Sequence, residues 1–76
     1  MSDIAYRLDA RGMNCPLPIL HTRKAINQLA AGQLLEITAT DPGAVRDMAS
    51  FCDQTGNRLV SSSAANECYV FLIEKA

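Results

Sequence analysis

Apolar positions along the chain follow two rhythms, one of every second residue and one near 3.6 residues, and together they lay out its elements. Ile4, Tyr6 and Leu8 alternate with Ala5, Arg7 and Asp9, the pattern of a first strand with one buried face. Asp9-Ala10-Arg11-Gly12 breaks that alternation with a turn-compatible glycine. Ile19, Thr22, Ala25, Ile26, Leu29 and Ala30 then fall on one helical stripe, with His21, Lys24, Asn27 and Gln28 pointing away, and Ala30-Ala31-Gly32 supplies a stop. Leu35, Ile37 and Ala39 alternate with Glu36, Thr38 and Thr40 in a second strand. Asp41-Pro42-Gly43 offers a capping residue followed by proline at the first helical position. The second helix carries its stripe on Ala44, Val45, Met48, Ala49, Phe51 and Cys52, keeps Arg46, Asp47, Ser50 and Asp53 outside it, and stops at Gly56.

Leu59 and Val60 open a polar run, Ser61 to Ala65, that reads equally as a short edge strand or a loop, because serines have weak strand preference. Asn66 suits a turn, and Tyr69, Phe71 and Ile73 then alternate with Cys68, Val70 and Leu72 in a strongly β-prone last strand. Bulk assigns Tyr69, Phe71 and Ile73 to the helix side and leaves Val70 and Leu72 as a candidate contact surface on the outer face. The order is βαβαββ, an α/β two-layer sandwich in which right-handed crossovers put both helices on one side of the sheet.

Seventy-six residues allow one domain, residues 1–76, and one compact site. A net charge of −1 with 20% charged residues argues against disorder and against a polyanion-binding tail. The start, Met1-Ser2-Asp3-Ile4-Ala5, lacks a basic leader, and no run approaches the ~20 apolar residues of a membrane span, so a cytoplasmic protein is expected. Three cysteines, Cys15, Cys52 and Cys68, make an odd count without a secretory signal and are expected to be reduced thiols. With no Cys-x-x-Cys and a single histidine, His21, no metal site is expected.

The candidate chemistry lies in Gly12-Met13-Asn14-Cys15-Pro16-Leu17-Pro18, between the first strand and the first helix. Asn14 is a favoured N-cap type and Pro16 and Pro18 suit a first helical turn, so the helix is expected to begin at Cys15 or Pro16. Cys15 then sits at the positive end of the helix dipole, which predicts a depressed thiol pKa, on a corner that the prolines keep at the surface. Arg11, Arg23 and Lys24 are candidates for added positive potential, Arg11 first among them. His21 is six residues from Cys15, about 9 Å along the axis and roughly 120° around it, which disfavours a Cys-His dyad. Cys52 belongs to the apolar stripe and reads as packing, and Cys68 as an outward residue with a minor option as a resolving thiol.

Leu8 to Pro18, Arg23-Lys24-Ala25 and Thr40-Asp41-Pro42-Gly43 together resemble the TusA/SirA-like sulfur carrier family over nearly the whole chain, with its Cys-Pro-x-Pro motif at Cys15 to Pro18. The resemblance implies a four-stranded mixed sheet with two helices on one face, similar to the C-terminal domain of translation initiation factor three. It also implies a carrier, not a self-contained enzyme, that accepts sulfane sulfur as a persulfide on Cys15. Gly12, Asn14, Pro16 and Pro18 would shape its loop, and no cofactor is needed beyond the covalent persulfide. The implied donor is a pyridoxal-phosphate cysteine desulfurase or a rhodanese-like enzyme, and the acceptor is a sulfur-relay protein. One implied downstream product is the 2-thio group of wobble uridine in certain tRNAs, and the sequence leaves open whether the sulfur ends there, in a molybdenum cofactor pathway or in dissimilatory sulfur oxidation. A monomer is expected, with no direct nucleic-acid or membrane contact. Many family members carry glutamate where this chain has Leu17, a departure that bears on partner choice. Two other classes compete: a thiol redox regulator or protein-interaction module acting through Cys15, and an RNA-binding domain suggested by the fold analogy alone.

Overall fold

In the computed structural model, residues 4–76 are described, so the reading of Met1 to Asp3 as free of a basic leader lies outside them. The elements are β1 (Ile4–Ala10), α1 (Leu17–Ile26), β2 (Leu34–Ala39), α2 (Ala44–Thr55), β3 (Arg58–Ala65) and β4 (Cys68–Glu74). The sheet order is β1-β2-β4-β3, with β1 parallel to β2 and β4 antiparallel to both β2 and β3. The sheet is therefore mixed, as the family resemblance implied. α1 packs on β1 and β2, α2 packs on β3 and β4, and the helices touch each other.

The core lies between the helices and one sheet face. Leu35, Ile37 and Ala39 from β2 and Phe71 and Ile73 from β4 are fully buried there, alternating as their sequence does. Met48, Phe51 and Cys52 of α2 and Ile26 of α1 close over them. Between the helices, the buried Thr22 hydroxyl donates to the Met48 sulfur at 3.8 Å. Among the described residues no helix is long and apolar enough to cross a membrane.

Several expectations shift. α1 ends at Ile26 and not at Ala30, because the chain tightens into i−3 bonds, Gln28 N–H to Ala25 and Leu29 N–H to Ile26. Leu29 still packs on the core, whereas Ala30 is exposed. α2 begins at Ala44, two residues beyond Pro42, and its Val45 and Ala49 are exposed. In β1 the register slips between Ile4 and Tyr6, so Ile4 pairs with Leu34 and no longer shares a face with Tyr6 and Leu8. Tyr6 points to the helix side but is 51% exposed, because α1 leaves this end of the outermost strand partly uncovered.

The serine run is strand, not loop. β4 templates it through a two-residue hairpin loop in which both Asn66 and Glu67 have positive φ, 53° and 65°. That is the backbone of a type I′ turn, whose second central position favours glycine. Glu67→Gly is therefore expected to raise stability by about 0.5 kcal/mol, relief of left-handed strain exceeding the entropy that glycine loses. A rise in the urea midpoint checks this, and a fall contradicts it. The outer face is less apolar than its last strand suggests. Leu72 is flanked in register by Glu36 and Ser61, and Val70 by Thr38 and Ser63. Glu36 also pairs with Arg7 at 3.4 Å.

Candidate functional site

The segment between β1 and α1 is held by the loop that follows β2. Gly12, at φ +80°, presents its N–H to the Thr40 hydroxyl at 2.9 Å. Cys15 presents its N–H to the Asp41 carboxylate at 3.0 Å, and the other oxygen of that carboxylate accepts from Gly43 N–H at 3.4 Å. Because β1 and β2 are parallel neighbours, their C-terminal ends lie side by side, and the two loops meet there. Asp41, expected as a helix cap, instead ties the cysteine loop to the start of α2.

Cys15 is exposed, with its peptide bond to Pro16 in the cis form. Pro16 is the N-cap of α1, Leu17 the first helical residue and Pro18 the second, so the helix starts one to two residues later than expected. Asn14 is not the N-cap; its carbonyl accepts the Leu17 N–H at 2.8 Å. The terminus consequently offers little to an anion. Pro16 and Pro18 have no N–H, and that of Leu17 is already bonded.

The thiol turns toward α2 instead, donating to Asp47 Oδ2 at 2.9 Å. This hydrogen bond, partial desolvation and the negative charges of Asp47 and Asp41 push the Cys15 pKa up. The expected depression is thus reversed, since the nearest strong electrostatic partners are carboxylates, while the first helical N–H, that of Leu17, is already bonded and Pro18 has none. In the sequence Asp47 reads as part of a solvated helix face, and Asp41 as a helix cap within the Thr40-Asp41-Pro42-Gly43 stretch of the family resemblance. No local signal marks either as a neighbour of Cys15, 32 and 26 residues away.

On one side of Cys15 a shallow groove of ≈ 200 Å³ runs between the helices, walled by Pro16, Ile19 and Phe51 and rimmed by Arg23, Ser50 and Gln54. Arg23 lies over the Phe51 ring, 5.2 Å from its centroid. On the other side, Pro42, Gly43, Val45 and Arg46 line a second depression. Of the three candidate basic residues, only Arg23 reaches the groove of the thiol. Arg11 turns back on Asp9 in a bidentate pair at 2.9 and 3.0 Å and holds that carboxyl down to about 2. Lys24 lines a separate groove with Tyr6 and His21, over β1. His21 is thus also remote from the thiol. Cys52 is buried, which pushes its thiol pKa up, and Cys68 is half-buried at the start of β4. No cluster of three or more His, Cys, Asp or Glu that could hold a metal occurs among the described residues.

The fold matches that of a SirA-like protein from Desulfitobacterium hafniense with a TM-score of 0.81, over 91% of this chain and 95% of that one, at 20% identity. A curated relative, the sulfur carrier protein TusA of Allochromatium vinosum, is 47% identical over all 76 residues of both chains. The family model described as sulfurtransferase TusA matches residues 6–75. With that match spanning nearly its whole length and the exposed Cys15 standing between its two helices, the chain belongs to the TusA family of sulfur carriers.

Proposed function

We propose that the chain carries sulfane sulfur as a persulfide on Cys15. It takes the sulfur from a cysteine desulfurase or rhodanese-like donor and hands it to an acceptor protein, with tRNA wobble-uridine 2-thiolation as one end use. The observation that carries this proposal is exposure: Cys15 is the exposed cysteine of the three, at the first position of Cys-Pro-x-Pro. A thiol that exchanges sulfur with another protein must be reachable by that protein's own cysteine. The sulfur is cargo, so the site needs no bound cofactor, and the chain acts in this proposal as a cytoplasmic monomer between two partners.

Partner contact follows from what surrounds the thiol. Leu17, beside Cys15, is 45% exposed and Leu20, one turn on, is 54% exposed. Next to the thiol itself, the Pro16, Ile19 and Phe51 groove gives an apolar rim with Arg23 at its edge. A partner loop carrying a reactive cysteine and an apolar flank fits that rim. Where Leu17 replaces the glutamate common in the family, the contact is apolar instead of ionic.

Incubation with a pyridoxal-phosphate cysteine desulfurase and L-cysteine, and separately with a rhodanese and thiosulfate, tests the proposal by intact mass. Gain of one sulfur atom, reversed by reductant, is the expected outcome with at least one donor. No gain with either donor overturns the carrier function, and a mixed disulfide with a small thiol in its place favours a redox regulator.

A further inference from the structure

A sulfur carrier must attack as a thiolate, yet the groups around Cys15 oppose one. Asp47 Oδ2 accepts the thiol hydrogen at 2.9 Å from α2, and Asp41 holds the Cys15 N–H from the preceding loop. Two cations border the same space. Arg23 of α1 stacks on Phe51, and Arg46 of α2 lines the depression beside the thiol. Neither forms an ion pair with Asp41 or Asp47 among the described residues. The α1 terminus adds few donors, as its first two turn positions are prolines or already bonded. The free chain therefore holds an exposed but protonated nucleophile.

We propose that Asp47 is a latch on Cys15, keeping the sulfur protonated and fixed until a partner presents a cationic side chain beside its own reactive cysteine. The partner class rests on the carrier function proposed above, whereas the latch is a property of the free chain. When a cation pairs with Asp47, the Cys15 proton leaves to solvent. The Cys15 thiolate then attacks the terminal sulfur of the donor persulfide. One S–S bond forms at Cys15 Sγ, the donor's S–S bond breaks, and the donor cysteine departs as a thiolate that takes a proton from solvent. One thiol is exchanged for another and one S–S bond for another, with no net oxidation. Once loaded, Sγ has no hydrogen to donate, so the bond to Asp47 is lost and the latch opens. The raised thiol pKa agrees with this geometry.

The test follows iodoacetamide alkylation of the Cys15 peptide against pH by mass spectrometry. Asp47→Asn is expected to lower the apparent pKa of Cys15 by about one unit. Asp47→Glu keeps it near the wild-type value, and Asp53→Asn, on the exposed face of the same helix, leaves it unchanged. A merely structural Asp47 would alter the unfolding midpoint without moving the pH profile. Should Asp47→Asn not fold, wild type alone decides, because its Cys15 pKa must exceed that of the same thiol in the urea-unfolded chain. Cystamine, a cationic disulfide, outpaces neutral hydroxyethyl disulfide with any thiolate because its leaving thiol is more acidic, and that preference is expected to be several-fold larger in wild type than in Asp47→Asn. An unchanged or raised pKa in Asp47→Asn, or an equal preference for cystamine in the two proteins, overturns the latch. Failure of sulfur loading would overturn the carrier function and leave these readouts standing.

Discussion

Cys15→Ser is expected to abolish sulfur loading completely while the thermal unfolding midpoint stays within about 4 °C of wild type. The two halves of this outcome have separate physical grounds. Oxygen cannot form the persulfide, so no residual loading at this position survives. The fold barely senses the change, because Cys15 is exposed and its side chain has one hydrogen-bond partner, Asp47, to which a serine hydroxyl also donates. The backbone bond from residue 15 to Asp41 is indifferent to the side chain. Loss of loading together with unfolding would instead make Cys15 structural. Intact mass and a thermal melt on the same preparation separate the two.

The largest loss of stability is expected from Phe71→Ala. Phe71 is fully buried on β4, which lies between β2 and β3, and it is in register with Ile37 on one side and Ser62 on the other. Phe71 belongs to the buried core cluster that also holds Met48, Phe51 and Ile73, and α2 packs on β4. Truncating such a side chain costs about 3–5 kcal/mol, the cavity adding to the lost transfer free energy. For a chain of 76 residues the whole stability is about 4–11 kcal/mol. The variant is therefore expected to lose between about a quarter and all of its stability, and its urea midpoint, followed by far-UV circular dichroism, falls accordingly. A midpoint close to wild type would show that the site collapses to fill the void. Any loss of sulfur loading here tracks unfolding, unlike that of Cys15→Ser.

How far the sequence reports the structure depends on the range of the interaction. The alternation of Leu35, Ile37 and Ala39, and of Phe71 and Ile73, is a local property and matches the buried face. The stripe of α2 likewise placed Met48, Phe51 and Cys52 in the core. Tyr6 follows the same alternation and is nonetheless exposed, because burial depends on how far α1 reaches along β1 and not on periodicity. Ser61 to Ser63 have weak intrinsic strand preference, but the Asn66-Glu67 turn and the β-prone β4 impose extended structure on them.

At the site, the motif pointed to Cys15 and the loop around it. Its electrostatics were not legible, because the deciding contact with Asp47 spans 32 residues and exists only once α1 and α2 are packed together. Pro16 and Pro18 read as helix starters, which they are, but each also removes an N–H that would have stabilised a thiolate. The partner of Arg11 is local and legible: Asp9, two residues earlier, captures its guanidinium.

The central claim is that sulfur resides on Cys15, and the most direct measurement is the intact mass of wild type, Cys15→Ser, Cys52→Ser and Cys68→Ser after identical loading by a cysteine desulfurase with L-cysteine. A reductant-labile gain of one sulfur atom in every protein except Cys15→Ser is the outcome expected. The same gain in Cys15→Ser would contradict the claim and move the carrier site to another residue.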